Sequence, residues 1–149
     1  DKRKSPFFLV IILIFSQIIV GAFVSGLDAG RLYQTWPLMN YHYFPNDYEI
    51  KSVKDLFNTN NHSLVQFYHR NLAYLIFFYI VVFGYFIFKN NYKNIFKSFY
   101  LVSFFLILQI SLGIFTLISG LNIYLASLHQ ICSLFLILSV INLYYNYIN

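Results

Sequence analysis

The fold is decided by a stretch that reads LVQFYHRNLAYLIFFYIVVFGYFIF over residues 64–88. About 20 consecutive apolar residues suffice for a helix to cross a bilayer, and this stretch interrupts its apolar run mainly near its start, at His69 and Arg70. Three more apolar runs of similar length occupy approximately 6–26, 95–119 and 123–147. The sequence therefore predicts an all-α membrane protein, a single four-transmembrane-helix domain over 1–149 with one polar external loop at 27–63.

The composition agrees with this class of protein. Of 149 residues, 59% are hydrophobic and 10% are charged, whereas soluble domains carry about 25% charged residues. The net charge of +5 comes from bases at predicted helix ends, which suits membrane topology and a lipid environment and argues against a nucleic-acid partner. A single cysteine, Cys132, excludes an internal disulfide and a cysteine-based metal framework.

Basic residues predict the orientation. Bases at positions 2–4 precede the first helix, and Lys89, Lys93 and Lys97 lie between the second and third. Both groups belong on the cytoplasmic side, so both termini are predicted there, and the 27–63 loop and the turn near 120–122 face outward. Aromatic residues of that loop fit a belt at headgroup level: Tyr33, Trp36, Tyr41, Tyr43 and Tyr48.

An internal repeat relates the two halves of the chain. Gln17 and Gly21 in the first helix have the same spacing as Gln109 and Gly113 in the third, and a Ser-Gly pair follows each. A helix with a histidine near its outer end comes next in both cases. We therefore predict two pseudo-symmetric helical hairpins related by an axis along the membrane normal.

The two histidines of these helices, His69 and His129, are the candidate functional residues. Each lies about two turns inside its helix, and the two helices enter from the same side, so both rings should lie at one depth. A titratable ring in hydrocarbon is costly and usually functional. Two imidazoles at matched depth favour axial ligation of a heme iron over the alternative, in which each ring only hydrogen-bonds a neighbouring helix.

Arg70 adjoins His69 and is a candidate partner for a heme propionate, because a guanidinium matches a carboxylate. Snorkelling to the headgroups explains this arginine equally well. Arg31 and Lys54 in the loop are weaker propionate candidates. A Cys-x-x-Cys-His attachment motif is absent from the sequence, so a bound heme would be non-covalent and b-type.

The other polar residues are explained by helix packing or by exposure to solvent. Gln17 and Gln109 are expected to link helices, Gln66 and Gln130 could orient a ring nitrogen, and His42 and His62 are expected to be solvated. An alternative has His62 approaching a substrate. Small neighbours around the two histidines leave room for a flat ring but also permit close helix packing. The four runs contain no Asp or Glu, so no proton-relay carboxylate is visible.

At these residues the chain resembles the heme A synthase family of cytochrome oxidase assembly, specifically its C-terminal half. The resemblance spans nearly the whole chain and rests on four blocks in order: 21–30 running into 33–39, 65–70, 109–116 and 125–130.

The resemblance implies an oxidoreductase that converts heme O to heme A by oxidising a ring methyl to a formyl group. By resemblance, His69 and His129 fall on the histidine pair that holds a heme b in the C-terminal half. The resemblance places the substrate site in the N-terminal half of the family, and no part of this sequence corresponds to that half. It further implies the bacterial inner membrane in preference to the mitochondrial one, with heme O synthase and oxidase assembly factors as candidate partners.

Two other functions stay open: a b-type electron-transfer cytochrome with the same ligands, and a non-catalytic assembly protein. The chain opens at Asp1 without a methionine, and we expect it to be a fragment that needs its N-terminal half. A half-length protein acting as a homo-oligomer is the alternative.

Overall fold

The computed structural model describes residues 5–149, and its architecture is a bundle of helices. Over this range the α-helices are α1 (Ser5–Gly26), α2 (His62–Lys89), α3 (Phe96–Ile118) and α4 (Ile123–Ile148). Each is long and apolar enough to cross a membrane, and the regular structure within residues 5–149 is helical throughout. The predicted all-α membrane fold is confirmed. Lys2, Arg3 and Lys4, which support the predicted orientation, lie outside the described residues.

Asparagine caps precede two helices: α2 begins two residues earlier than predicted, and α4 begins at the predicted Ile123. The Asn61 side chain accepts a hydrogen bond from the Leu64 amide at 2.9 Å, so α2 begins at His62 rather than at the first apolar residue. Asn122 caps α4 by accepting from the amides of Tyr124 and Leu125. Such caps satisfy amides that the first helical turn leaves without partners.

The helices pack as two hairpins. α1 packs against α2, and α3 packs against α4; contacts of α1 with α4 and of α2 with α3 close the bundle. α2 and α4, which carry the two histidines, therefore lie across a diagonal. We call the end that carries the 27–61 segment and the α3–α4 turn the loop end, and the end that carries the α2–α3 connection with its lysines the lysine end.

The α3–α4 turn is tight and sits against the 27–61 segment. Gly120 and Leu121 adopt φ values of 71° and 63°, in the left-handed region that glycine enters without strain. The Leu121 side chain packs over Gly30, where an added Cβ would lie 3.0 Å from Leu121 Cδ2. The turn of the second hairpin thus contacts the long connection of the first.

The main hydrophobic core fills only the lysine half of the bundle. Its buried members are Phe7, Val10 and Ile14 of α1; Ile76, Ile80, Phe83 and Ile87 of α2; Ile95, Phe99, Val102 and Leu106 of the third span; and Leu136, Val140 and Leu143 of α4. All of these lie on the lysine side of the two histidines. Around the histidines themselves, the side chains facing the bundle are mostly half-buried.

The 27–61 segment folds over the loop end through side-chain hydrogen bonds and short 3₁₀ turns at Ala29–Arg31 and Val53–Phe57. Tyr33 departs from the predicted aromatic belt. It is 3% exposed, because its hydroxyl donates to Asp47 Oδ1 at 2.5 Å and to Asn46 Oδ1 at 3.0 Å. Trp36, Tyr41 and Tyr43 are exposed.

Candidate functional site

The first hairpin holds His69 between a glutamine and a glycine of α1. Gln17 Nε2 donates to the main-chain carbonyl of His69 at 3.0 Å and lies 3.4 Å from the ring Nε2. The ring edge rests on Gly21, where an added Cβ would lie 3.0 Å from His69 Cε1. Gln17 and Gly21 are one helical turn apart, so they present their contacts on one face of α1.

The second hairpin repeats this arrangement with His129 and α3. Gln109 Nε2 lies 3.4 Å from His129 Nε2, and a Cβ on Gly113 would lie 3.0 Å from His129 Cε1. In addition, His129 Nδ1 lies 3.1 Å from the main-chain carbonyl of Gln109. The sequence repeat is therefore a repeat of contacts: each hairpin places a Gln, a Gly and a His in the same mutual arrangement.

These contacts bear on the protonation pattern of both rings. A glutamine amide nitrogen only donates hydrogen bonds, so the Nε2 atom that faces it acts as an acceptor in each neutral imidazole. The proton then resides on Nδ1, which in His129 donates to the Gln109 carbonyl. Within residues 5–149, His69 Nδ1 is buried and has no hydrogen-bond partner. His129 thus presents an unprotonated Nε2, the form in which imidazole ligates a metal.

The surroundings fit a flat, largely apolar cofactor with an iron centre. The two imidazoles belong to α2 and α4, which lie on opposite sides of the bundle. The glycines keep the rings free of side chains at one edge, and the hydrophobic core stops on the lysine side of this level. Two imidazoles are a donor set that a heme iron accepts.

Arg70 holds the 27–61 segment. Its Nη1 donates to the carbonyls of Thr35 at 2.9 Å and Leu38 at 3.2 Å, and its Nη2 donates to the carbonyl of Tyr33 at 2.8 Å. Its Nε is buried and, among residues 5–149, without a partner. The pairing of Arg70 with a propionate stays a prediction, and the structure adds a loop-anchoring role that the sequence did not indicate.

A second polar cluster braces the same segment. Asp47 accepts hydrogen bonds at 2.5 Å from both the Tyr33 and the Ser63 hydroxyls. Burial alone would raise the pKa of Asp47, but these two hydrogen bonds outweigh it and hold the pKa below its usual range. Burial, and then the hydrogen bond to Asp47, raise the pKa of Tyr33. The segment is therefore fixed to the start of α2 through an ionised carboxylate.

Gln17 and Gln109 link helices as predicted, but the roles of Gln66 and Gln130 were predicted wrongly. Gln66 does not reach a ring nitrogen: its Nε2 donates to the Tyr33 carbonyl at 2.9 Å. Gln130 is exposed, and the amides beside the imidazoles belong to Gln17 and Gln109. The shared four-residue spacing of Gln and Gly in α1 and α3 was the available signal, because it recurs opposite each histidine.

The remaining candidates lie away from this site. His42 and His62 are exposed, and His62 is the first residue of α2. Arg31 and Lys54 are exposed in the 27–61 segment, where Arg31 forms an exposed ion pair with Asp28 at 3.6 Å. Cys132 is a free, buried thiol.

The fold and the paired histidines define a class: a multi-pass helical membrane protein with a repeated imidazole arrangement at one end of its bundle. Within that class, the chain belongs to the family described as Cytochrome oxidase assembly protein, whose profile matches residues 2–141. The resemblance found in the sequence is confirmed.

Several relatives carry the name Heme A synthase. The one from Pelagibacter ubique (strain HTCC1062) is 45% identical over 143 residues, which are 93% of this chain and 41% of that protein. Those from Rickettsia massiliae (strain Mtu5) and Rickettsia africae (strain ESF-5) are 36% and 35% identical, over 89% and 92% of this chain and 39% and 40% of their own lengths. The chain thus spans about two fifths of these relatives, and no solved structure matches it.

Proposed function

We propose that this chain is the heme b-binding half of a heme A synthase, an oxidoreductase of cytochrome oxidase assembly. The observation that supports the proposal is the duplicated Gln–His–Gly arrangement, in which each histidine ring lies against a glutamine amide and a glycine of its hairpin partner. Packing alone does not require the same three residue types to meet in both hairpins.

In this proposal His69 and His129 would hold a non-covalent heme b through their imidazole nitrogens. The Gln109 carbonyl keeps the His129 proton on Nδ1 and so leaves Nε2 for the iron, which is the usual role of a hydrogen bond behind a metal-bound histidine. A bound heme b would supply one-electron chemistry, with a potential set by its ligands and its burial. Arg70 and the 27–61 segment would cover the site and exclude water.

The substrate in this proposal is heme O, whose ring methyl is oxidised to the formyl group of heme A. The relatives' greater length leaves room for a second half that holds the substrate. Alternatively, a second copy of this chain would supply it. We place the protein in the bacterial inner membrane with the lysine end cytoplasmic, because Lys89, Lys93 and Lys97 cluster there. Heme O synthase and oxidase assembly factors are the proposed partners.

Pigment analysis of cells tests this function. Deleting the gene that encodes this chain should remove heme A from an acid-acetone extract and let heme O accumulate, as chromatography would show. The wild-type gene should restore heme A, His69→Ala should not, and His42→Ala, which changes an exposed histidine, should restore it fully. Unchanged heme A after deletion would refute the enzyme and favour a b-type electron-transfer cytochrome or an assembly protein without catalysis.

A further inference from the structure

The two hairpins hold their histidines by different bonds, although the residues involved are equivalent. In the first, the Gln17 side chain donates to the His69 main chain at 3.0 Å. In the second, the His129 side chain contacts the Gln109 main chain at 3.1 Å. The glutamine side chain is the hydrogen-bonding group in the first hairpin, and the glutamine main-chain carbonyl is the hydrogen-bonding group in the second.

This difference matters once the Nε2 atom of each ring coordinates a metal. The amide contacts to Nε2 are 3.4 Å long in both hairpins, and they would give way on coordination. His129 would then keep its Nδ1 bond to a main-chain carbonyl. His69 would keep no ring hydrogen bond, because its Nδ1 has no partner among residues 5–149. The hydrogen bond from the Gln17 amide to the His69 carbonyl would remain, beside the contact of the ring with Gly21.

We propose that Gln17 is a positioning residue for His69, whereas His129 is positioned by the main chain of Gln109, so that the two axial ligands are inequivalent. The proposal rests on the proposed heme function. A hydrogen bond behind a ligating imidazole sets its orientation and makes the nitrogen a stronger donor. His129 would therefore be the more rigid and more basic ligand, and His69 would depend on a side chain that mutation can remove.

The test uses three variants of the full chain in detergent or nanodiscs: Gln17→Met, Gln109→Met and Gln130→Met. Methionine preserves side-chain length and removes the amide. Gln130 is the matched control, since it is exposed on the same helix as His129. Gln17→Met should speed heme loss about tenfold and shift the low-spin electron paramagnetic resonance signal. Gln109→Met should change the rate of heme loss and the resonance signal less than Gln17→Met does, and Gln130→Met should match the wild type.

Nitrogen NMR of ¹⁵N-histidine in the heme-free chain adds a readout that is independent of cofactor loading. His129 should be the Nδ1–H tautomer in the wild type and in Gln109→Met, because the main-chain carbonyl remains. Gln17→Met should alter the His69 resonances. A Gln17→Met variant that loses its helical circular dichroism is replaced by Gln17→Leu, which likewise has no hydrogen-bond donor.

Three results would overturn the proposal. They are equal effects of Gln17→Met and Gln109→Met, effects of both no larger than that of Gln130→Met, or an Nε2–H tautomer at His129. The failure of the two proposals can be distinguished. A chain that takes up no heme but shows the expected tautomers refutes the heme function and the inequivalence of the two ligands, and it leaves the bond between the His129 ring and the Gln109 main chain in place. A heme-loaded chain with indifferent glutamine variants refutes only this inference.

Discussion

At the scale of single residues, the site depends on what is missing beside each histidine as much as on what is present. Gly21 and Gly113 carry no side chain, and each lies against the Cε1 edge of an imidazole. A glycine inside a helix costs about 1 kcal/mol relative to alanine, so two such residues at matched positions indicate a steric need. The need is room for an imidazole edge beside a neighbouring helix.

Replacing either glycine with alanine should therefore disturb the rings without weakening the helices. In Gly21→Ala and Gly113→Ala the new methyl would lie 3.0 Å from a ring carbon, so the ring must rotate or shift. We expect heme affinity to fall roughly tenfold in each, measured by optical titration. Gly26→Ala is the control, since nothing lies within 4 Å of its added Cβ. An equal loss in Gly26→Ala, or none in the other two variants, would contradict this account.

Sequence reasoning found the histidines but not what holds them. The depth of each histidine follows from its position within a predicted span, and the relation between the two helices follows from the repeat. Both are visible in the sequence. The contacts of Gln17 and Gln109 depend on how α1 and α3 are rotated about their axes, and a nearly uniform apolar run does not define that rotation. The same uncertainty led to the wrong prediction for Gln66 and Gln130, which are closer in sequence to the histidines but point elsewhere.

At the scale of elements, the 27–61 segment is ordered by charge-assisted bonds at the start of α2. Arg70 donates to three of its carbonyls, and Asp47 ties it to Ser63. The sequence predicted a polar loop at this place from its acids and its turn-forming residues. It did not predict that an arginine expected at a propionate or among headgroups would hold main-chain carbonyls, because main-chain acceptors carry no sequence pattern.

Arg70→Met should loosen this segment and leave the spans intact. Hydrogen bonds to a charged group contribute about 2 kcal/mol each, so losing even one should raise amide hydrogen exchange in the segment roughly 30-fold. Mass spectrometry of peptides from the segment measures the faster exchange, and peptides from α3 show whether exchange in the spans is unchanged. Arg31→Met is the control, because the Arg31 side chain makes an exposed ion pair with Asp28 instead of holding main-chain carbonyls. Equal exchange in the two variants would show that Arg70 does not anchor the segment.

At the scale of the whole molecule, the bundle has one half filled by the hydrophobic core and another half in which polar side chains link the helices. Burial of apolar side chains holds the helices together towards the lysine end, while polar contacts between hairpin partners determine the geometry towards the loop end. The fold class and the two hairpins were predictable, because span length and repeat spacing are visible in the chain. The end of the core at the level of the histidines was not, because apolar residues continue through both halves.

The central claim is that two imidazoles from facing helices grip one heme iron. The most direct measurement is the optical spectrum of the purified full chain titrated with heme, for the wild type and for His69→Ala, His129→Ala and the exposed control His42→Ala. We predict a bis-imidazole low-spin spectrum in the wild type and in His42→Ala, and its loss in each of the other two variants. A bis-imidazole spectrum that persists in both His69→Ala and His129→Ala would contradict the account.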